Sequence, residues 1–438
     1  MTATAHSVSA AAATPAGASG AARPGLLSLD EAVARLLAVA SERVIAQTEE
    51  VPTLLSLGRV LAEDVHSGLD VPPADNSSMD GYALRVADVP AAGTVLPVSQ
   101  RIPAGVVGGP LTPGSAARIF TGAQIPAGAD AVVMQEQCVP VGDPSVQSAA
   151  QSSVRVDAVP ALGQWIRRRG EDIQVGATVL SRGALLTPQA MGLAASVGRA
   201  ALQVLRRPRV ALFSTGDELA MPGEPLKPGG IYNSNRFTLT GLLQASGCEV
   251  KELGIVPDRL EATREALRSA AQGVDLILTS GGVSVGEEDH LKPAMQLEGR
   301  LDLWQVAMKP GKPLAFGAVR RVDGSEALFV GMPGNPVSSF VTFLLTVAPL
   351  LRALQGRPAG APVAYQMRAD FDWSRPDRRR EFLRAKLNDQ GGLDLFPNQS
   401  SGVLTSTVWA DGLVDVPASQ PIARGEMVRF MPLQSLLG

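Results

Sequence analysis

Arg209-Val210-Ala211-Leu212-Phe213-Ser214-Thr215-Gly216-Asp217-Glu218 is an apolar run that stops abruptly in a hydroxyl, a glycine and two acids. A short apolar run closed by turn residues reads as a buried strand with a polar loop at its carboxyl end. The same grammar returns twice downstream. Val274–Thr279 ends in Ser280-Gly281-Gly282, and Ala327–Val330 runs into Gly331-Met332-Pro333-Gly334-Asn335-Pro336. Around these runs lie helix candidates at Ser234–Ala245 and Leu260–Ala271, a strand at Glu249–Val256, a strand pair near 302–319 and a long apolar helix from about Val337 to Leu354. Strands and helices alternating at this spacing predict a mainly parallel α/β domain over 208–360.

Upstream the pattern differs. Leu26 to about Val44 is an amphipathic helix candidate, with Ser28 and Glu31 at capping-box spacing. Leu54–Leu61 reads as a shorter helix or turn. From about 67 to 161 short β-like runs (95–102, 116–120, 130–136, 153–158) are split by glycine and proline, which predicts a small inserted β domain. Helical character returns at Thr187–Val197, with Pro188 suited to a first-turn position. Residues 26–66 and 162–207 are therefore expected to form one discontinuous helical or mixed domain. Residues 361–438 return to short strands, a C-terminal β domain. Residues 1–25, rich in Ala, Ser, Thr, Gly and Pro, are expected to be a disordered tail rather than a signal peptide.

Composition narrows the chemistry. The 438 residues carry 39 basic and 42 acidic side chains, a formal charge of −3, which gives no drive toward nucleic acid or an anionic membrane. No uninterrupted apolar run reaches the roughly 18 residues that span a bilayer. Two distant cysteines, Cys138 and Cys248, offer no disulfide framework and point to a reducing, cytoplasmic compartment. Three histidines exclude a multi-histidine zinc site. A divalent ion here would be a hard one such as Mg²⁺, held by carboxylates and phosphates.

In open α/β sheets ligands collect beyond the carboxyl ends of the strands. Three such ends carry glycine-rich polar loops: Thr215-Gly216-Asp217-Glu218, then Ser280-Gly281-Gly282-Val283-Ser284-Val285-Gly286-Glu287-Glu288-Asp289, then Pro333-Gly334-Asn335-Pro336-Val337-Ser338. Glycines let backbone N–H groups approach an anion closely. Asn335 is positioned to cap the following helix, with Pro336 at its first position, aiming the positive helix end at the same crevice. Lys309-Pro310-Gly311-Lys312-Pro313 adds two cations on a stiff loop, and Glu218, Asp258 and Asp289 are candidates to hold Mg²⁺ on a bound phosphate. Singly, each piece is a turn, a cap or a solvated charge. Together they predict an anion-binding α/β enzyme with a nucleotide-bearing ligand, although neither a Walker loop nor a Gly-x-Gly-x-x-Gly fingerprint follows a strand.

Longer strings carry more information. Asp75-Asn76-Ser77-Ser78-Met79-Asp80-Gly81-Tyr82-Ala83, Arg118-Ile119-Phe120-Thr121-Gly122-Ala123, Pro126-Ala127-Gly128-Ala129-Asp130-Ala131-Val132-Val133 and Arg168-Arg169-Gly170-Glu171-Asp172-Ile173 resemble, in order, the blocks of the MoeA family of molybdopterin molybdenumtransferases and of the related gephyrin E domain. The three loops and the lysine loop match as well. The resemblance implies a homodimer of elongated four-domain subunits, with each cleft completed by the partner's β domain. It further implies that adenylylated molybdopterin, molybdate and Mg²⁺ react there with release of AMP, the last common step of molybdenum cofactor biosynthesis. The adenylylating enzyme and molybdoenzyme acceptors are the implied partners.

Carried over by motif, Asp80 and Thr121 reach the partner's cleft and act in catalysis with Glu218 and Asp289. Thr215, Gly216, Asp217, Ser280, Gly281, Gly282, Ser284, Gly286, Pro333, Gly334, Asn335 and Pro336 bind the substrate. Glu218, Asp258 and Asp289 bind the metal. Lys309, Lys312, Ser338, Arg384 (in Phe382-Leu383-Arg384) and Ser401 (in Gln399-Ser400-Ser401) bind molybdate. Gln305 stands where some relatives carry lysine, one cation fewer. The competing readings are a non-catalytic scaffold like the gephyrin E domain, the adenylylating enzyme, and a nucleotide-dependent dehydrogenase.

Overall fold

The computed structural model describes residues 26–141, 153–283 and 290–437. The expected tail 1–25 and the loop residues Ser284, Gly286 and Asp289 lie outside them. The described residues divide into two compact units, one drawn from 26–42, 208–351 and 359–437, the other from 43–207 and 352–358.

At the centre of the first unit is a six-stranded sheet in the order Glu249–Val256, Arg209–Thr215, Leu276–Ser280, Glu326–Met332, Pro313–Arg320, Gly299–Gln305. The first four strands are mutually parallel, and the last two add antiparallel at one edge. Arg209–Thr215 is buried at every position after Arg209, and Leu276–Ser280 throughout. That is why both read as unbroken apolar runs rather than alternating ones. The outer strand Glu249–Val256 is more exposed and carries Glu249, Lys251 and Glu252, charges that discourage further pairing at an edge. Helix Leu260–Ala271 turns Thr263, Leu267, Ala270 and Ala271 inward, at the spacing of one helix face. Leu267, Ala270 and Ala271 join Phe213, Ile277, Met295 and Phe329 in one core.

The helix after the third loop runs from Pro336 to Leu354. It includes a π-helical stretch, Phe343–Val347, in which every residue is buried. Its length and mean hydropathy of 1.8 would suit a membrane span, but 83% of it is buried inside the protein. It is a core helix, in contact with helices Ser234–Ala245 and Leu29–Ser41. The latter starts with the expected capping box: Glu31 N donates to Ser28 Oγ at 3.2 Å, and Ser28 N to Glu31 Oε2 at 2.8 Å.

A second six-stranded sheet closes the first unit. Arg380–Leu387, Gly392–Leu395, Tyr365–Ala369, Met427–Pro432 and Gly412–Val416 follow one another, and Gly412–Val416 pairs back onto Arg380–Leu387 to complete a five-stranded barrel. The sixth strand is only Met308–Lys309, parallel to Arg380–Glu381. The sequence reading had no strand there.

In the second unit, Ala131–Met134, Gly81–Leu84, Ala116–Ile119, Thr94–Ile102, Ser153–Val156 and Cys138–Val141 form a sheet around Leu84, Val98, Val133 and Val156. Strands Thr48–Pro52 and Ala201–Leu205 pair antiparallel, as do Val65–His66 and Thr178–Leu180. The chain thus leaves for the β sheet and returns beside itself. Helix Pro188–Ser196 follows, capped by Thr187 and with Pro188 in its first turn.

Phe343 is fully buried. Phe343→Ala is expected to cost roughly 3–5 kcal/mol of stability by transfer and cavity effects, seen as a lower urea midpoint. A change under about 1 kcal/mol would show that this helix is not a packed core element.

Candidate functional site

The carboxyl ends of the parallel strands open into a cleft of about 990 Å³. The first loop contributes Thr215 and Glu218 to its walls, the second Ser280, Gly281 and Gly282, and the third Pro333, Gly334, Asn335, Pro336 and Ser338. Lys309 and Lys312 line it from the proline loop, and Gln399, Ser400 and Ser401 from the C-terminal barrel.

These loops are stitched to one another. Asn235 Nδ2 donates to Ser280 Oγ at 3.1 Å and to Gly334 O at 2.7 Å, joining the second loop to the third. Gly281 N donates to Met332 O at 3.1 Å. Gly281 has φ +89, and a β-carbon there would stand 2.8 Å from Thr215 O, so only glycine lets the first and second loops touch. Val337 N donates to Ser401 O at 3.0 Å, fixing the start of the core helix to the barrel. Asn335 sits at the N-cap and Pro336 at the first position. The Asn335 side chain makes no capping hydrogen bond, contrary to the sequence expectation.

Other predicted residues are placed differently. Asp217 faces away as a brace, its Oδ1 accepting from Asp258 N at 3.2 Å. Gly216 lies beneath Glu218, whose Oε2 would meet a β-carbon there at 2.5 Å. Neither Gly216, Asp217 nor Asp258 lines the cleft. Among the described residues no group of three or more His, Cys, Asp or Glu gathers at metal-binding spacing. The expected trio of Glu218, Asp258 and Asp289 is therefore not assembled from the described residues alone, and Asp289 falls outside them.

Arg384 is 1% exposed and absent from the cleft wall. It donates to Ser406 Oγ at 3.1 Å, Phe382 O at 3.2 Å and Ser400 O at 3.3 Å. Its guanidinium braces the serine loop from behind, and burial pushes it down to about 10. The arginine that does line the cleft is Arg379, which the sequence reading passed over. Arg379 forms a fork with Asp377, Nε to Oδ1 at 2.9 Å and Nη2 to Oδ2 at 3.0 Å. That fork, together with Arg379 N, holds the Asp377 carboxyl well below the usual carboxylate range. Lys309 Nζ stands 3.0 Å from Glu381 Oε1 and 3.5 Å from Asp377 Oδ2. Glu381, 1% exposed, also accepts from Trp373 Nε1 at 2.9 Å and Asp377 N at 2.7 Å. Lys312 is exposed and has no ion pair among the described residues. Asn233 and Asn235, at the start of helix Ser234–Ala245, also line the cleft. The capping position of Asn233 was the one signal that could have found them.

Asp80 and Thr121 belong to the second unit. Thr121 N and Oγ1 each donate to Asp80 Oδ1 at 2.7 Å, which lowers the Asp80 carboxyl from its ordinary value. The two bonds favour the Asp80 carboxylate and fix it to Thr121. Arg118 beside it donates to Gly81 O at 3.0 Å.

Fold and cleft define a multidomain α/β protein in which strand-end loops and a C-terminal barrel wall one polar cleft with Lys309, Lys312 and Arg379. The comparisons carry this further. Residues 27–198 match the model of the MoeA N-terminal region (domain I and II), 211–353 that of a probable molybdopterin binding domain, and 366–433 that of the MoeA C-terminal region (domain IV). The molybdopterin molybdenumtransferase of Haemophilus influenzae is 37% identical over 421 residues, covering 94% of this chain and 100% of its own. Molybdopterin molybdenumtransferase 2 of Mycobacterium tuberculosis is 39% identical, over 84% of this chain and 90% of its own. The molybdopterin biosynthesis MoeA protein of Pyrococcus horikoshii superposes with a TM-score of 0.77 at 30% identity, over 93% of this chain and 100% of that one. The chain belongs to the MoeA family.

Replacing Arg384 by Ala should lower stability by roughly 1–3 kcal/mol through unsatisfied carbonyls, read as a lower urea midpoint with a weakened serine loop. A wild-type midpoint combined with abolished oxyanion binding would instead put the guanidinium on the ligand.

Proposed function

We propose that this protein is a molybdopterin molybdenumtransferase, which inserts molybdenum from molybdate into adenylylated molybdopterin with release of AMP. The observation that carries the reading is the convergence in one cleft of three glycine-bearing strand ends with Lys309, Lys312, Arg379, Ser338 and Ser401. Molybdate is a dianion. Leaving water demands several donors and positive charges at once, and this wall supplies both. The loop residues Thr215, Ser280, Gly281, Gly282, Gly334 and Asn335 bind the nucleotide-bearing substrate. Neither cysteine nor histidine lines the cleft among the described residues. The chain's contribution is positioning and electrostatics rather than a protein nucleophile.

The residues suit a hard cation. The donors near the first loop are the Glu218 carboxylate and the Thr215 and Ser280 hydroxyls, all oxygen, and Mg²⁺ is commonly held by one or two carboxylates plus substrate phosphates. Glu218, with Asp289 as a further carboxylate, would hold Mg²⁺. When bound, the ion neutralises phosphate charge and makes AMP a better leaving group. Lys309, Lys312 and Arg379 orient the oxyanion, and Ser338 and Ser401 donate to it. Asp80 and Thr121 act at the cleft of a partner subunit in a homodimer. The free cysteines Cys138 and Cys248 support a cytoplasmic location.

Purified protein should release AMP from adenylylated molybdopterin only when molybdate is added, with the rate lost on chelation and restored by Mg²⁺. Unchanged substrate after prolonged incubation would reject the enzyme and favour a dimeric scaffold. Co-expressed Asp80→Asn and Lys309→Ala chains, each inactive alone, should recover about a quarter of wild-type activity, since half of random dimers keep one intact site. No recovery in proven mixed dimers would place both residues in the same subunit's site.

A further inference from the structure

Two of the cations that line this cleft already have carboxylate partners. Lys309, Lys312 and Arg379 line it, and among the described residues Asp377 and Glu381 stand against Lys309 and Arg379, which leaves Lys312 as the cation without an ion pair. A dianion reaches the full attraction of Lys309 and Arg379 only if one of these carboxylates gives way.

The two backing acids are not equivalent. Glu381 is 1% exposed, and its oxygens are engaged by Trp373, Asp377 N and Lys309. It lies on the ladder that pairs Lys309 with the barrel, so it cannot swing out without breaking that ladder. Asp377 precedes the strand, and its side chain is 23% exposed. It sits 3.5 Å from Lys309 and forks onto Arg379, so it touches both cations that an oxyanion would need.

Resting on the oxyanion reading above, we propose that Asp377 is a built-in competitor that decides which anions enter the cleft. It occupies the Arg379 fork and shares Lys309 until a ligand with two suitably spaced oxygens and a full double negative charge displaces it. A carboxylate is matched by two parallel N–H···O bonds to guanidinium, and a tetrahedral dianion can copy that geometry with more charge. A monoanion offers no gain over the carboxylate already there. Glu381, by contrast, is a positioning residue that holds Lys309 in place during the exchange.

The test uses the full chain and Asp377→Asn, which keeps the oxygen that accepts from Arg379 N. Sodium molybdate is titrated by calorimetry, alone and against sodium nitrate, with thermal melting as a control for folding. The variant should bind molybdate about tenfold more tightly, the scale of removing one nearby negative charge at high effective dielectric. Nitrate, without effect on wild type, should now compete. Unchanged or weaker molybdate binding in a variant with wild-type melting would make Asp377 merely an orienting partner of Arg379 and overturn the proposal. If Asp377→Asn melts early, Asp377→Ser gives the same readout. Lys312→Ala separates the parent reading: weakened molybdate binding there upholds the oxyanion site whatever Asp377 does. A wild type that binds no molybdate removes both.

Discussion

Two residues of strand, Met308 and Lys309, run parallel to Arg380 and Glu381, and through them the edge hairpin of the α/β sheet becomes part of the C-terminal barrel. The functional geometry depends on this short ladder. It fixes Lys309 beside the buried Glu381 carboxylate, brings Arg379 within reach of Met308 O at 3.4 Å, and brings the serine loop across from the core helix. The bond from Val337 N to Ser401 O then closes the other side. A cleft assembled from two sheets needs such links, because an oxyanion is gripped only if donors from separate elements stay in register.

Much of the fold could be read from the chain because its core obeys simple periods. Strands buried on both faces declare themselves as unbroken apolar runs, and helices Ser234–Ala245 and Leu260–Ala271 fall where their spacing put them. The parallel sheet and its polar strand ends followed from that. The Met308–Lys309 strand did not, since two residues carry no periodicity. Its existence is decided by what the barrel presents to it, a tertiary effect invisible to a local window.

The site was legible in its loops and less so in its arginines. Three arginines in a row, Arg378-Arg379-Arg380, and a fourth at Arg384 differ only in where the barrel turns them. Arg380 forks onto Asp415 at 2.6 Å. Arg384 is enclosed, an outcome rare for a cation and not encoded in its neighbours. Arg379 alone of the four lines the large cleft. The expectation that Asn335 caps its helix named the right position but the wrong bond, because the loop geometry leaves that side chain unused.

The apolar helix from Pro336 to Leu354 also bears on how the chain is made. Its composition would tempt insertion into a lipid bilayer if it emerged from the ribosome unaccompanied. All six strands of the α/β sheet, and the helices Leu29–Ser41 and Ser234–Ala245, precede it in the chain, while helix Leu433–Leu437, which also touches it, follows. Synthesis from the amino end therefore delivers the greasy segment after the sheet, to a docking surface most of which has had time to form. A circular permutation that moved residues 336–354 ahead of the sheet would forfeit that protection while leaving every native contact available.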